Sequence, residues 1–168
     1  YGGMDSYDIH GLETAQCMSE RRRGGEVGIR RVLALRGDAM WKHAAGLPDT
    51  QRLLVSALTR SHNLPVKDGY PTGAVTFDWA RATFPDGWAY FIEHRDGFRT
   101  TLFMLNIRDF NYAGLTKAGK IISCQMYLPM PTWGSSTADF FSPQIHHIER
   151  MVVNRVQTYP VERTLLTS

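Results

Sequence analysis

Residues 86–107 decide the fold, and they read DGWAYFIEHRDGFRTTLFMLNI. Side-chain character alternates along 88–93 and again along 98–107, and an Asp-Gly pair precedes each run. This pattern is typical of antiparallel strands joined by tight turns. Residues 74–84, which are rich in aromatic and β-branched side chains, predict a third strand before the turn at 85–87. The region therefore predicts a three-stranded antiparallel meander.

The flanking sequence predicts further strands and several helices. Strands are predicted at 26–36 and 120–128, and helices at 7–23, 38–45, 49–61, from Ser142 and from Val161. The first helix carries apolar side chains at Ile9, Leu12, Ala15 and Met18, and the helix from Ser142 carries a stripe predicted to be buried at Ile145, Ile148, Met151 (or Val152) and Val156. This order predicts an α+β fold, in which helices pack on one face of a largely antiparallel, open-faced sheet.

Length and composition exclude several classes of protein. A chain of 168 residues that is 43% hydrophobic can bury one core, so we expect a single domain over 1–168. With 21% charged residues and a net charge of +3, the chain is neither disordered nor strongly basic, and we expect no nucleic-acid partner. Its apolar runs are too short for a membrane span, so no membrane partner is expected.

The two cysteines and the chain ends add weaker expectations. Cys17 and Cys124 lack the spacing of a zinc site or of a disulfide scaffold, which favours free thiols in a reducing compartment and a cytoplasmic location. The sequence opens with Tyr-Gly-Gly and stops within a helical pattern at Ser168. We therefore expect a piece of a longer polypeptide.

The densest group of reactive side chains lies at the start of the first helix, in residues 5–13, DSYDIHGLE. His10 can exchange a proton near neutral pH, and a carboxylate beside it would fix its tautomer. Glu13, three positions later, lies on a neighbouring part of the same helical face. A catalytic cluster and a helix start rich in capping residues, with a hydrogen-bonded histidine, explain this segment equally well.

Other clusters indicate structure rather than chemistry. His146 and His147 point about 100° apart on a helix and cannot share one ion, so we expect no metal. The basic triplet at 21–23 fits a solvated helix end better than a phosphate patch. Four large aromatic residues are predicted to lie on the sheet, as core or interface residues first, and to support self-association through its open face: Trp79, Trp88, Tyr90 and Phe91.

A family resemblance covers most of the chain in short motifs. Residues 2–13, GGMDSYDIHGLE, resemble the G-G-x-x-x-D-x-G-x-H-x-x-D segment that opens the second domain of the Gfo/Idh/MocA oxidoreductases. Residues 27–36 fall where the first sheet strand of that family lies. Residues 83–89 are similar to its strand–turn–strand, and residues 159–166 are similar to the carboxyl-terminal segment of one branch.

The resemblance implies a second domain of the dihydrodipicolinate-reductase-like type, following a missing Rossmann domain that binds NAD or NADP. It implies a small-molecule substrate of the sugar or polyol class and a homo-oligomer. His10 matches the family histidine, while Ser6 stands at the family aspartate, preceded by Asp5, and Asp8 stands at the family glycine. We assign catalytic roles to His10, Asp5 and Asp8.

The remaining polar residues of the segment, which are Tyr7, Ser6 and Glu13, are assigned to substrate binding. Glu13 replaces the aspartate that ends the family motif. Two alternatives stay open at this point. The fold could serve as a non-catalytic ligand-binding or assembly module, or the chain could be an unrelated α+β domain.

Overall fold

Six helices and three small antiparallel sheets make up the residues that the computed structural model describes, which are 7–67, 70–71, 74–126 and 141–167. The helices are α1 Asp8–Ser19, α2 Gly37–Ala45, α3 Pro48–Leu58, α4 Phe77–Thr83, α5 Ser142–Asn154 and α6 Glu162–Leu165. The strands are β1 Ile29–Arg36, β2 Val66–Lys67, β3 Tyr70–Pro71, β4 Trp88–His94, β5 Arg99–Met104, β6 Phe110–Leu115 and β7 Ile121–Met126. The chain is thus a mixed α+β protein.

The predicted hairpin is confirmed by β4 and β5, which pair antiparallel from Trp88–Met104 to Glu93–Arg99. Its turn closes through Gly97, whose φ of 80° lies in the left-handed region that glycine adopts without strain. β1 pairs antiparallel with the other side of β4, so the sheet order is β1-β4-β5.

The strand predicted at 74–84 is wrong, because α4 occupies most of that segment. The hydroxyl of Thr76 accepts a hydrogen bond from the backbone amide of Trp79 (3.0 Å) and caps the helix. Ala80, which is fully buried, lets α4 approach the core closely. The third strand of the sheet is β1, and residues 83–89 form a helix–turn–strand rather than a strand–turn–strand.

Helices contact both faces of this three-stranded sheet. One face carries Phe91 and Phe103, which pack with Trp41 of α2. The other face receives α1 at Gly11, where an added Cβ would lie 3.0 Å from the side chains of Leu102 and Met104. The expected arrangement, with helices on one face only, therefore does not describe this sheet, because Gly11 allows α1 to pack closely on the second face.

The main core lies on the α2 side. Its buried members are Met40, Trp41, Leu54, Leu58, Ala80, Ala89 and Leu105. The indole nitrogen of Trp41 donates to the carbonyl of Phe84 (3.0 Å), so its one polar atom is satisfied. Trp79 and Phe91 also pack against this core. The expectation that these two residues lie on an open outer face is therefore wrong.

The contacts divide the chain into two compact units. The first unit lies within residues 1–126 and also includes Thr167, and the second lies within 127–166. In the second unit, the predicted helix from Ser142 forms as α5. Its expected buried stripe is exposed, with exposed fractions of 54% at Ile145, 45% at Ile148 and 64% at Val156. The described partner element in this unit, α6, has four residues and offers too little apolar surface to cover the stripe.

A buried polar network joins the end of α1 to the β4–β5 hairpin. The ring of His94, which is 1% exposed, lies between the carboxylate of Glu26 (3.4 Å) and the hydroxyl of Thr100 (3.2 Å). Glu26 also accepts hydrogen bonds from the side-chain amide of Gln16 (2.9 Å) and the backbone amide of Gly28 (2.6 Å). The network thereby satisfies polar groups that burial would otherwise penalise.

The same contacts shift the titration of Glu26. Burial by itself raises the pKa of this carboxyl, but the hydrogen bonds from Gln16 and Gly28 and the neighbouring His94 outweigh it. The pKa of Glu26 is therefore held below its ordinary value of 4.5. A carboxyl with a lowered pKa stabilises the folded state above its unfolded pKa and loses that contribution as the pH falls through the folded value.

We expect Glu26→Gln to lower the free energy of unfolding at pH 7 by about 1–3 kcal/mol, because charge-assisted hydrogen bonds are lost. The stability difference from the wild type should shrink as the pH falls below 4.5, since the wild-type carboxylate becomes protonated there. Urea unfolding between pH 3 and 7 measures both effects, and Asp49→Asn, in an exposed ion pair, is the matched control. Equal differences at pH 3 and pH 7 would contradict the assignment.

Candidate functional site

The predicted site residues lie at the amino-terminal end of α1, which begins at Asp8. Asp5 and Ser6 lie outside the described residues. Tyr7 occupies the N-cap position and makes no side-chain capping hydrogen bond, and Asp8 lies in the first turn. The partial positive charge of the helix end favours a carboxylate there.

Asp8 is held by the sheet beneath α1. The hydroxyl of Tyr90, on β4, donates a short hydrogen bond to Oδ2 of Asp8. The other oxygen, Oδ1, is enclosed and has no hydrogen-bond partner within the described ranges. A buried acceptor without a donor costs about 1–3 kcal/mol, so this oxygen has a strong tendency to accept a hydrogen bond.

His10 lies on the exposed side of the same helix start. Its ring contacts the ring of Tyr7, with centroids 5.5 Å apart and planes inclined by 47°. Residues two positions apart on a helix project about 200° apart, so Asp8 meets the sheet while His10 meets solvent. Asp8 bonds to Tyr90 rather than to His10.

Glu13 belongs to a different set of contacts. Its carboxylate, which is half-buried, accepts a hydrogen bond from the hydroxyl of Thr167 (2.8 Å), a residue that clusters with the first unit. The structure therefore brings together Tyr7 with His10, Asp8 with Tyr90, and Glu13 with Thr167. The sequence predicted no site role for Tyr90 or Thr167.

A second polar cluster, which the sequence analysis did not identify, surrounds Asp109. Four side chains donate to its carboxylate: Ser61 (2.7 Å), Asn63 (3.3 Å), Asn111 (2.6 Å) and Gln125 (2.9 Å). Both carboxylate oxygens have donors, so the group is satisfied and joins the end of α3 to the β6–β7 hairpin. The sequence could have indicated this cluster through the pairing of Asn111 with Gln125 on neighbouring strands. That pairing was not predicted, because no strand was predicted at β6.

A metal centre and a membrane span both find no support in the described residues. Within residues 7–67, 70–71, 74–126 and 141–167, no three His, Cys, Asp or Glu side chains are grouped as metal ligands. His146 and His147 are exposed on α5, with ring centroids 6.2 Å apart. None of the helices in these ranges has the length and apolar character to cross a membrane.

The residues at the β1–α2 junction do not fit a dinucleotide. A pyrophosphate cradle requires several glycines between a strand and a helix, followed by a helix start without negative charge. Here Gly37 follows β1 directly, and Asp38 places a carboxylate in the first turn of α2. The carboxylate of Asp38 also pairs with Arg81 (2.9 Å). A phosphate at this helix start would therefore meet a negative charge.

Comparison with known proteins identifies no relative: no family model, no curated protein and no solved structure matches the chain. The resemblance of residues 2–13 to an oxidoreductase segment thus stays a hypothesis carried by short motifs.

We expect the Asp8–Tyr90 hydrogen bond to appear as a coupling energy in a double-mutant cycle. Tyr90→Phe and Asp8→Asn should each lower the free energy of unfolding. The loss in the double variant should be about 1.5–3 kcal/mol smaller than the sum of the two single losses, as is typical for a hydrogen bond to a charged group. Urea unfolding at pH 7 measures the three free energies. Tyr112→Phe, on β6, should add to Asp8→Asn without coupling, and a coupling below about 0.5 kcal/mol for Tyr90 would contradict the contact.

Proposed function

We propose that this chain is the substrate-binding and assembly domain of a nicotinamide-dependent oxidoreductase that acts on a sugar, a polyol or a related hydroxy compound. One observation carries the proposal. At the start of α1, Asp8 is anchored through one oxygen by Tyr90, while its other oxygen lacks a donor among the described residues, and exposed His10 lies two positions later.

The substrate class follows from what these groups accept and donate. A carboxylate oxygen without a donor favours a ligand hydroxyl, which would remove the cost of its burial. Oxidation of a hydroxyl releases a proton, and an imidazole can take up or return a proton near neutral pH. Asp8 is therefore assigned to hydroxyl binding and His10 to proton exchange, with Tyr7 packing on the His10 ring.

The dinucleotide is assigned to another domain of the full polypeptide, a Rossmann domain that supplies NAD or NADP. Support comes from the β1–α2 junction, where Gly37 and Asp38 do not fit a pyrophosphate. In this proposal the chain binds the hydroxy compound and excludes water around it, and the two domains together complete the site.

The assembly role rests on a strip of sheet beside α1. Val32 is 52% exposed, Ala34 is exposed, and Trp88 and Tyr90 of β4 are partly exposed on the same face. Exposed apolar side chains on a sheet face favour packing against another copy. We assign a homo-oligomer contact to this strip, which keeps Trp88 and Tyr90 of the four predicted aromatic residues and has Val32 and Ala34 in place of Trp79 and Phe91.

A non-catalytic binding module is the second candidate, and one observation favours it. The carboxylate that would orient His10 is bonded to Tyr90 instead. A histidine without a fixed orientation transfers protons less effectively, since general acid–base catalysis depends on geometry first. In that case, the same helix start would bind a hydroxy compound without turning it over.

Turnover in the full polypeptide separates the two candidates. We expect reduction or oxidation of a panel of sugars and polyols with NAD(H) or NADP(H), lowered roughly 10²–10⁴-fold by His10→Ala with cofactor binding unchanged. His146→Ala, an exposed histidine on α5, is the control and should leave the rate unchanged.

Asp8→Asn should raise KM more than it lowers kcat, since Asp8 is assigned to binding. Binding of a panel compound, abolished by Asp8→Asn but without any turnover, would favour the binding module. Full activity in both the His10→Ala and the Asp8→Asn proteins would contradict the proposed site.

Self-association is tested on the chain alone. We expect concentration-dependent dimers in light scattering, and Val32→Asp should weaken the dimer at least about tenfold by placing a charge in an apolar contact. Val153→Asp, at a position that is 78% exposed on α5, is the matched control. A wild-type chain that stays monomeric at millimolar concentration would exclude the strip as an interface.

A further inference from the structure

Nearly half of the arginines of this chain lie in two short segments, 20–31 and 93–99, which we call the arginine patch. The patch contains seven arginines, four acidic residues and no lysine. The guanidinium group of arginine is planar and binds carboxylates or phosphates through two parallel hydrogen bonds, whereas the ammonium group of lysine acts as a point charge.

Direct contacts bring the two segments together. The guanidinium of Arg22 pairs with Asp96 (3.0 Å) and lies over the ring of Phe98, 4.8 Å from its centroid. The backbone amide of Arg95 donates to the carbonyl of Gly28 (2.9 Å), and the side chain of Arg95 lies against Gly28. The loop after α1 and the β4–β5 turn therefore form one continuous surface.

Seven arginines and four acidic residues leave the patch with a net charge of +3, and three of the four carboxylates have specific partners. Glu26 is committed to Gln16 and His94, and Asp96 is committed to Arg22. Glu93 pairs with Arg30 (3.3 Å). Five arginines are exposed and form no ion pair within the described ranges: Arg21, Arg23, Arg31, Arg95 and Arg99.

The patch continues along an edge strand. In the order β1-β4-β5, β1 pairs with one strand among those that the structure describes, and it carries Arg30, Arg31 and Arg36 in eight residues. An edge strand can accept an added extended segment through backbone hydrogen bonds. If β1 paired with β1 of a second copy, arginines would lie opposite arginines and repel each other. The charge of this edge therefore disfavours pairing between two copies of the chain.

The aromatic content of the patch also disfavours nucleic acid as its binding partner. Proteins that bind single strands stack bases on exposed aromatic rings. Phe98 is the aromatic ring of the patch, and the Arg22 guanidinium covers it. Carboxylates, which need no stacking surface, suit the exposed guanidinium groups better.

We propose that the β1 edge binds an extended acidic segment of a partner protein, whose backbone adds to β1 and whose carboxylates pair with the exposed arginines of the patch. This proposal is independent of the hydroxy-compound site at the start of α1. It concerns the edge of the sheet, and thus differs from the face of the sheet assigned above to self-association.

The test uses a fluorescent peptide of about twelve residues that alternates Glu with Val or Thr, at about 50 mM salt, where charge screening is weak. We expect saturable binding in fluorescence anisotropy, weakened at least about tenfold by Arg31→Gln/Arg95→Gln and weakened further by added salt. Arg52→Gln/Arg108→Gln removes the same charge from exposed positions outside the patch and should bind as the wild type does. Circular dichroism verifies that both double variants are folded.

Two further probes separate strand addition from simple charge attraction. The same peptide with every second backbone amide methylated keeps its carboxylates but cannot pair with a strand, and it should lose binding. Equal binding of the methylated peptide, or of the wild type and the Arg31→Gln/Arg95→Gln variant, would overturn the proposal. Tighter binding of an oligothymidylate of similar length would instead assign the patch to nucleic acid and overturn it as well.

Discussion

β4 carries buried side chains on both of its faces, and the packing of the first unit follows from that constraint. Ala89 points to the α2 side and Ile92 to the α1 side, and both are at most 9% exposed. A strand that is apolar on two faces needs a layer on each side. Trp41 of α2 supplies one layer, and α1, seated through Gly11, supplies the other. The position of α1 therefore results from the sheet.

Two polar attachments then hold α1 at its ends. At the start, Tyr90 bonds to Asp8, and at the end, Gln16 bonds to Glu26, which in turn contacts buried His94. Apolar packing has no preferred direction, whereas hydrogen bonds to buried groups have defined geometry. The packing holds α1 against the sheet, and the two attachments determine which residues of α1 meet the proposed site.

Local rules explain what the sequence could predict. The β4–β5 hairpin was predictable because the Asp96-Gly97 turn chemistry and strand alternation agree. The choice of residues 5–13 as a candidate site rests on side-chain chemistry alone and stays a prediction. Residues 74–84 were misassigned because their aromatic side chains suit a strand and a short buried helix equally. The Asp8–Tyr90 contact joins residues 82 positions apart, and no local pattern encodes such a pair.

The geometry of a helix start determines how a single ligand could use both Asp8 and His10. The two side chains project to opposite sides of α1, so a ligand lying along the helix reaches only one of them. Helical side chains also tilt toward the amino terminus, so both lean toward the amino-terminal end of α1. A hydroxy compound that contacts both must therefore sit across that end, where the helix dipole favours the carboxylate of Asp8. Under the proposed function, a second domain would approach the substrate from this side, because the sheet occupies the other.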